Sequence, residues 1–182
     1  FYTWGTGSQP GRSFHKLVHN HITTGKFAHS TRPILINNWE ATYFNFNEEK
    51  LLELARCAKK ADIELFVLDD GWFGHRDADN SSLGDWYDDT RKLPQGIAGL
   101  SEKIHALGLK FGLWFEPEMI SPDSDLYRAH PDWCLHVPAR PRSERRQQLI
   151  LDMSRTDVQD YVIEAVSAVL AGLLIAVPLV LV

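Results

Sequence analysis

The sequence is poor in cysteine and in net positive charge, and each shortage excludes a class of protein. The two cysteines, Cys57 and Cys134, cannot form a disulfide framework, so nothing in the cysteine content indicates secretion and we expect a cytoplasmic protein. The 19 Lys and Arg residues against 24 Asp and Glu residues give a net charge of −5. No basic stripe is available to neutralise phosphates, so we expect no nucleic acid partner.

Long uncharged runs are also scarce, and one of them includes residues 166–182, where 14 of 17 residues are apolar. A membrane-spanning helix needs about 20 apolar residues, and Pro178 interrupts this run, so we expect no membrane partner. The chain opens on Phe1-Tyr2-Thr3-Trp4, without an initiator methionine or the basic residues of a signal peptide. We therefore expect both ends to be cuts through a longer sequence.

What is present is a short apolar run followed by an amphipathic helical pattern, repeated along the chain. The predicted strands, which read as strands buried on both faces, are residues 34–36, 65–68, 111–115 and 149–151. Helix signals lie between them: Asn47 is a predicted N-cap, Gly108 follows a predicted helix end, and Thr156 opens a capping box.

This alternation predicts an α/β fold with a parallel sheet. Both a doubly wound sheet and the first half of a (β/α)8 TIM barrel, with about four βα units, fit the spacing. The phosphate-binding patterns GxGxxG and GxxxxGK(S/T) do not follow any predicted strand, which favours the barrel.

Polar and aromatic residues cluster where the predicted strands end, and both alternative folds bind ligands at that edge. They are Asn37, Asn38, Trp39, Asp69, Asp70, Trp72, Trp114, Glu116, Glu118 and Asp152. Carboxylates accept charge-assisted hydrogen bonds from sugar hydroxyls, and aromatic rings stack on the apolar faces of sugars, so the set indicates a carbohydrate ligand.

Asp69 and Asp70 are neighbours on one strand, so their side chains point to opposite faces. They are expected to hold two hydroxyls of one sugar rather than to act across one bond, and a plain Asp-Asp-Gly turn is the alternative. Three arginines precede the fourth predicted strand, and one of them is expected to reach a carboxylate or a sugar oxygen, with a solvated surface as the alternative. They are Arg142, Arg145 and Arg146.

One further group of residues has the spacing of a metal site. It consists of Asp77, Asp79, Ser81 and Asp88, which follow the order of a calcium-binding loop. Ser82 stands where that loop needs glycine, and no helix pattern precedes it, so we expect no metal there.

Five segments, in order, resemble the bacterial and fungal α-galactosidases of glycoside hydrolase family 36. They are RPILINNWEATYF at 32–44, LDDGWF at 68–73, LGDW at 83–86, GLWFEPEM at 112–119 and QLILD at 148–152. The resemblance covers about residues 11–170, because SFHKL at 13–17 is similar to the family's linker into the barrel.

The resemblance implies a barrel that hydrolyses terminal non-reducing α-D-galactose from oligosaccharides of the raffinose or melibiose type, with retention and without a metal or organic cofactor. Asp69 and Asp70 match the pair that binds galactose hydroxyls. Trp39 and Trp114 match aromatic residues of the pocket, and Arg146 matches the arginine that supports the nucleophile and the sugar. The implied partner is an α-galactoside oligosaccharide, and the full-length parent is expected to be a homo-oligomer.

The sequence departs from the family pattern near residue 170. In the family a fifth strand ends in Lys-Trp-Asp, whose Asp is the nucleophile, and that triplet is absent here, so we assign no catalytic residue. The expected organisation is a linker at 1–31 from a missing N-terminal β-sandwich domain, a partial barrel at 32–170 and an aberrant apolar tail at 171–182. We expect a truncated fragment that is inactive alone. A galactosyl-transferring relative, an α-N-acetylgalactosaminidase and a non-catalytic sugar-binding remnant are the alternatives.

Overall fold

The computed structural model describes residues 8–25, 28, 30–174 and 180–181. The chain divides into two compact units, Phe1–Pro33 and Ile34–Val182. In the first unit, helix α1 (Gln9–Leu17) has a proline in its first turn and continues into a π-helical turn, Val18–Ile22. Residues 9–22 of this unit are therefore helical.

The second unit contains a parallel sheet, a small antiparallel pair, five α-helices and a short 3-10 helix (Pro131–Trp133) among its described residues. The strands are β1 (Leu35–Asn37), β2 (Leu65–Leu68), β3 (Lys110–Leu113), β4 (Met119–Ile120), β5 (Leu149–Ile150) and β6 (Val180–Leu181). The helices are α2 (Trp39–Thr42), α3 (Glu48–Lys60), α4 (Gly96–Ala106), α5 (Asp125–Ala129) and α6 (Thr156–Leu174). No helix in the described part of the chain is both long and apolar enough to cross a membrane.

Strands β1, β2 and β3 are parallel neighbours, and α3 and α4 make the two connections between them. The side chain of Asn47 accepts a hydrogen bond of 3.0 Å from the Lys50 amide and thereby caps α3, as its position predicted. Gly108 follows α4 with a φ of +76°, a conformation that glycine adopts without strain. Two of the predicted helical connections, the start of α3 and the end of α4 are thus confirmed.

The fourth predicted strand does not belong to this sheet. Residues 149–150 form β5, which pairs antiparallel with β4, whereas the strand next to β3 is β6. A three-residue apolar run has no periodicity that separates a parallel core strand from a strand in a connecting segment. The assignment of 149–151 as the fourth parallel strand was therefore wrong.

The prediction that the run at 34–36 is buried on both faces was also wrong. Ile34, Leu35 and Ile36 expose 58%, 41% and 42% of their surface, whereas all of β2 is buried. Strand β1 lies at the edge of the described sheet, where it has one neighbouring strand, whereas β2 lies between two. The position in the sheet, rather than the apolar composition, sets this exposure.

The main core lies between the sheet, α3, α4 and the loop that follows β2, and it is rich in aromatic side chains. Trp72 and Phe73 are fully buried, and their rings contact each other edge to face at 5.2 Å. A second cluster joins β4 and β5 to α5 and α6, with Ile120, Leu149 and Val158 at its centre. The two clusters support the loops that follow β2 and β3.

Candidate functional site

The three paired strands end at one edge of the sheet, and four of the five predicted site residues follow there. Leu68 of β2 is in register with Leu113 of β3, and the Trp114 amide donates to the Leu68 carbonyl at 2.9 Å. On the other side, the Asp69 amide donates to the Asn38 side chain at 2.8 Å. The register therefore places the ends of β1, β2 and β3 side by side, as a parallel sheet requires.

Asp69 is half-buried and accepts hydrogen bonds from the last residue of β1 and from the residue that follows it in the chain. Its Oδ2 accepts a hydrogen bond of 2.8 Å from the Asn37 side-chain amide, and its Oδ1 accepts one of 2.8 Å from the Asp70 amide. Burial raises the pKa of the Asp69 carboxyl, the Asp70 amide opposes that rise, and the negative charge of Asp70 adds to it. The carboxyl is thus oriented by fixed donors before any ligand arrives.

Asp70 is buried and forms a bidentate ion pair with Arg76. Its Oδ1 and Oδ2 accept from Nε and Nη2 of Arg76 at 2.6 Å and 2.8 Å, and the Arg76 side chain is completely buried. This parallel two-bond geometry fixes the plane of the carboxylate as well as its position. The two adjacent aspartates therefore have different environments, in agreement with their expected orientation to opposite faces.

The two predicted tryptophans are half-buried at the ends of β1 and β3. Trp39 begins α2, and its ring contacts the rings of Tyr43 at 5.2 Å and Phe44 at 5.1 Å, both edge to face. Trp114 stacks on Phe73 with a centroid distance of 6.5 Å and an interplanar angle of 13°. Each indole is supported by other aromatic rings and keeps part of its surface exposed.

Arg146 lies far along the chain and joins the site through the loop after β2. Its Nη2 donates to Oδ1 of Asp79 at 2.6 Å, and this contact raises the pKa of Arg146. Arg146 and Gln147 both have positive φ, at 55° and 57°, within a tight turn closed by hydrogen bonds between Arg145 and Gln148. Arg142 does not pair with Asp79, and its Nη1 donates instead to the Tyr127 hydroxyl at 2.6 Å.

Glu116 follows β3 and lies among the same charges. Burial raises the pKa of its carboxyl, Glu118 raises it further, and Arg146 and Arg76 act in the opposite direction. The segment after β3 therefore adds a half-buried carboxyl to the group formed by Asp70, Arg76 and Arg146.

Two members of the strand-end set have structural roles instead. Trp72 is completely buried, and its indole N–H donates to the Trp114 carbonyl at 3.1 Å. Asp152 follows β5, outside the parallel sheet, and accepts hydrogen bonds from the amide and hydroxyl of Ser154 at 3.1 Å and 2.6 Å. Neither arrangement leaves these side chains directed at the edge formed by β1, β2 and β3.

Sequence reasoning missed the roles of Arg76 and Asp79. Asp79 had appeared only as part of a calcium-like spacing, but its side chain pairs with Arg146, while Asp77 pairs with Arg91 and Lys92. Within the residues that the structure describes, no three His, Cys, Asp or Glu side chains come together as metal ligands. A buried arginine six residues after the Asp-Asp pair has no recognisable local pattern, so only the loop's path reveals it.

We expect Glu116→Gln to stabilise the protein at neutral pH. Because the pKa of Glu116 is raised on folding, its ionisation costs the native state stability as the pH rises through that raised value. Below about 4.3, the ordinary glutamate pKa, Gln and protonated Glu are equivalent and the difference disappears. Urea unfolding at several pH values measures this. Glu53→Gln, at an exposed position on α3, removes the same charge as a control, and equal effects of both variants would contradict the prediction.

Parallel strands joined by helices, with carboxylates and indoles after their carboxyl ends, define an α/β protein with a candidate ligand-binding edge. A family model described as Melibiase matches residues 2–177, and the chain belongs to this family. The resemblance to the α-galactosidases of glycoside hydrolase family 36 is confirmed by the relatives that follow.

Alpha-galactosidase AgaA of Geobacillus stearothermophilus is 62% identical over 161 residues, which are 88% of this chain and 22% of that protein. The crystal structure of AgaA superposes with a TM-score of 0.87 at 60% identity, over 91% of this chain and 23% of that chain. A variant of AgaA in complex with raffinose superposes with a TM-score of 0.84 at 61% identity, covering 88% of this chain and 22% of that chain. The chain thus spans about a fifth of the length, 22%, of the curated relatives it matches first.

Proposed function

We propose that this chain is the galactose-binding part of a retaining α-galactosidase that removes terminal α-D-galactose from oligosaccharides of the raffinose and melibiose type. The observation that carries the proposal is the placement of Asp69 and Asp70 after β2, between the ends of β1 and β3. The relative captured with raffinose supports the substrate class. In this proposal the parallel strands are part of a (β/α)8 barrel.

Each site residue has a defined part in the proposed binding. Asp69 and Asp70 accept hydrogen bonds from two sugar hydroxyls, and Arg146 donates to a sugar oxygen. The exposed faces of Trp39 and Trp114 stack on the apolar C–H surface of galactose. No metal or organic cofactor takes part, because glycoside hydrolysis of this type uses carboxyl groups alone.

We further propose that the 182-residue chain does not turn over α-galactosides by itself. Retaining hydrolysis needs a nucleophile and an acid/base whose carboxyl groups lie about 5–5.5 Å apart. The Lys-Trp-Asp triplet that carries the family's nucleophile is absent from the sequence, and the strand beside β3 is the apolar β6. A chromogenic α-galactoside assay with the purified chain tests this, and turnover above the uncatalysed rate would overturn it.

The binding part of the proposal is tested by calorimetric titration with galactose. We expect weak binding that Asp69→Ala reduces by tenfold or more, since a hydrogen bond to a charged group contributes about 1.5–3 kcal/mol. Glu53→Gln, on the exposed side of α3, changes the net charge equally and should bind like the wild type. Equal heats for the wild type and Asp69→Ala would reject specific binding at this site.

A further inference from the structure

Arg76 is completely buried, and it is linked to four of the five predicted sugar-binding residues. It contacts one of them directly, and it contacts the residues that support the other three. It pairs with Asp70 through two hydrogen bonds. Its guanidinium carbon lies 5.7 Å from the ring centroids of both Phe44 and Phe73. These two rings are the ones that support Trp39 and Trp114, respectively. One buried side chain therefore lies between the carboxylate and both indoles.

The remaining donors of Arg76 bind the loop that reaches Arg146. Its Nη1 donates to the carbonyls of Ser81 at 2.7 Å and Asp79 at 3.1 Å. The side chain of Asp79 then accepts from Arg146 at 2.6 Å and lies 3.9 Å from Nη2 of Arg76. Charges of alternating sign thus run from Asp70 through Arg76 and Asp79 to Arg146.

We propose that Arg76 and Asp79 are positioning residues, which set the distance and orientation between the sugar-binding Asp70 and Arg146 without touching the sugar. This inference rests on the proposed galactose-binding function. The path Asp70–Arg76–Asp79–Arg146 is called the charge chain below. Arg76 suits this role because its planar fork fixes the Asp70 carboxylate in two directions, which the single ammonium of a lysine does not do.

The ion pair between Asp79 and Arg146 is too exposed to contribute much to the free energy of unfolding, so a positioning role of Asp79 can be measured separately from a role in stability. The Asp79 and Arg146 side chains expose 48% and 51% of their surface, and an ion pair this exposed adds little to folding stability. Its loss therefore leaves the fold intact while it releases the Arg146 guanidinium from the end of the charge chain. The hydrogen bond of 2.6 Å to Arg146 is much shorter than the 3.9 Å contact with Arg76, so we expect Asp79 to act on sugar affinity mainly through Arg146.

Galactose titration of the full chain, with Asp79→Asn, Arg146→Gln and the double variant, tests this coupling. We expect each single variant to weaken affinity about three- to tenfold, and the double variant to be no weaker than Arg146→Gln alone. Asp79→Glu keeps a carboxylate and should recover most of the affinity. The matched control is Asp123→Asn, which breaks a similarly exposed ion pair with Arg128 and should bind like the wild type.

Arg76→Lys tests the other end of the charge chain. This change keeps the positive charge and removes the planar guanidinium that holds both oxygens of Asp70. We therefore expect the affinity for galactose to fall by about tenfold or more, with an unchanged circular dichroism spectrum. Where Arg76→Lys fails to fold, the Asp79 and Arg146 cycle decides.

The outcomes distinguish the two proposals. Absence of galactose binding by the wild type would overturn the proposed function together with the positioning role. Binding by the wild type with multiplicative effects of Asp79→Asn and Arg146→Gln, or with full affinity in Asp79→Asn or Arg76→Lys, would overturn the positioning role alone.

Discussion

Trp72→Ala is expected to lower the free energy of unfolding by about 3–5 kcal/mol, the usual cost of truncating a large buried aromatic side chain. Trp72 has no exposed surface, and its ring contacts Phe73 at 5.2 Å and Phe115 at 5.3 Å, both edge to face. Truncation removes these contacts, leaves a cavity beside β3 and deprives the Trp114 carbonyl of its indole N–H donor. The loss is large because close-packed surroundings relax only partly around such a cavity.

Urea unfolding followed by circular dichroism measures this loss. Trp72→Phe keeps an aromatic ring and removes the N–H, so it should cost less than Trp72→Ala. Ile163→Ala, at a position of α6 that is 63% exposed, should change the free energy of unfolding by less than about 0.5 kcal/mol. A cost for Trp72→Ala as small as that of Ile163→Ala would contradict the packing described for this loop.

Arg76→Met is expected to cost about 3–5 kcal/mol of stability, the range observed when one partner of a buried ion pair is removed. The change leaves the buried Asp70 carboxylate without its bidentate donor. It also removes the hydrogen bonds to the carbonyls of Ser81 and Asp79, which lie at 2.7 Å and 3.1 Å. An uncompensated charge in a site of low polarity accounts for most of the expected loss.

A double-mutant cycle separates the ion pair from the other contacts of Arg76. Adding Asp70→Asn removes the stranded charge, so the double variant should recover part of the stability that Arg76→Met loses. Asp123→Asn with Arg128→Met provides the matched cycle for an exposed pair, where the coupling should be close to zero. Strictly additive effects of Arg76→Met and Asp70→Asn would show that the pair is not coupled in solution.

Local patterns were sufficient for several elements of this protein. The apolar run at 65–68 became the fully buried β2, and Asn47 caps α3 as predicted. Gly108 ends α4 in the left-handed conformation that its place in the pattern required. These predictions succeeded because each depends on interactions within a few residues, namely side-chain periodicity, a capping hydrogen bond and one backbone dihedral angle.

Contacts between residues far apart in the chain could not be predicted from local sequence patterns. The side chains of Arg146 and Asp79 meet across 67 positions, and nothing around either residue predicts the other. The run at 149–151 looks like the other core strands, and only its pairing with β4 shows that it lies in a connecting segment. The exposure of β1 likewise follows from its place at the edge of the sheet.

The amino-acid sequence alone determined the family, the parallel α/β character and the identity of the residues after β1, β2 and β3, because these follow from ordered motifs and from local periodicity. Only the tertiary structure decided which of these residues contact one another. It separated Asp69, which is half-buried between amide donors, from Asp70, which is paired with Arg76, and it joined Arg146 to Asp70 through Asp79 and Arg76. The physical reason is that burial and charge pairing depend on how distant loops fold together, which no short stretch of sequence specifies.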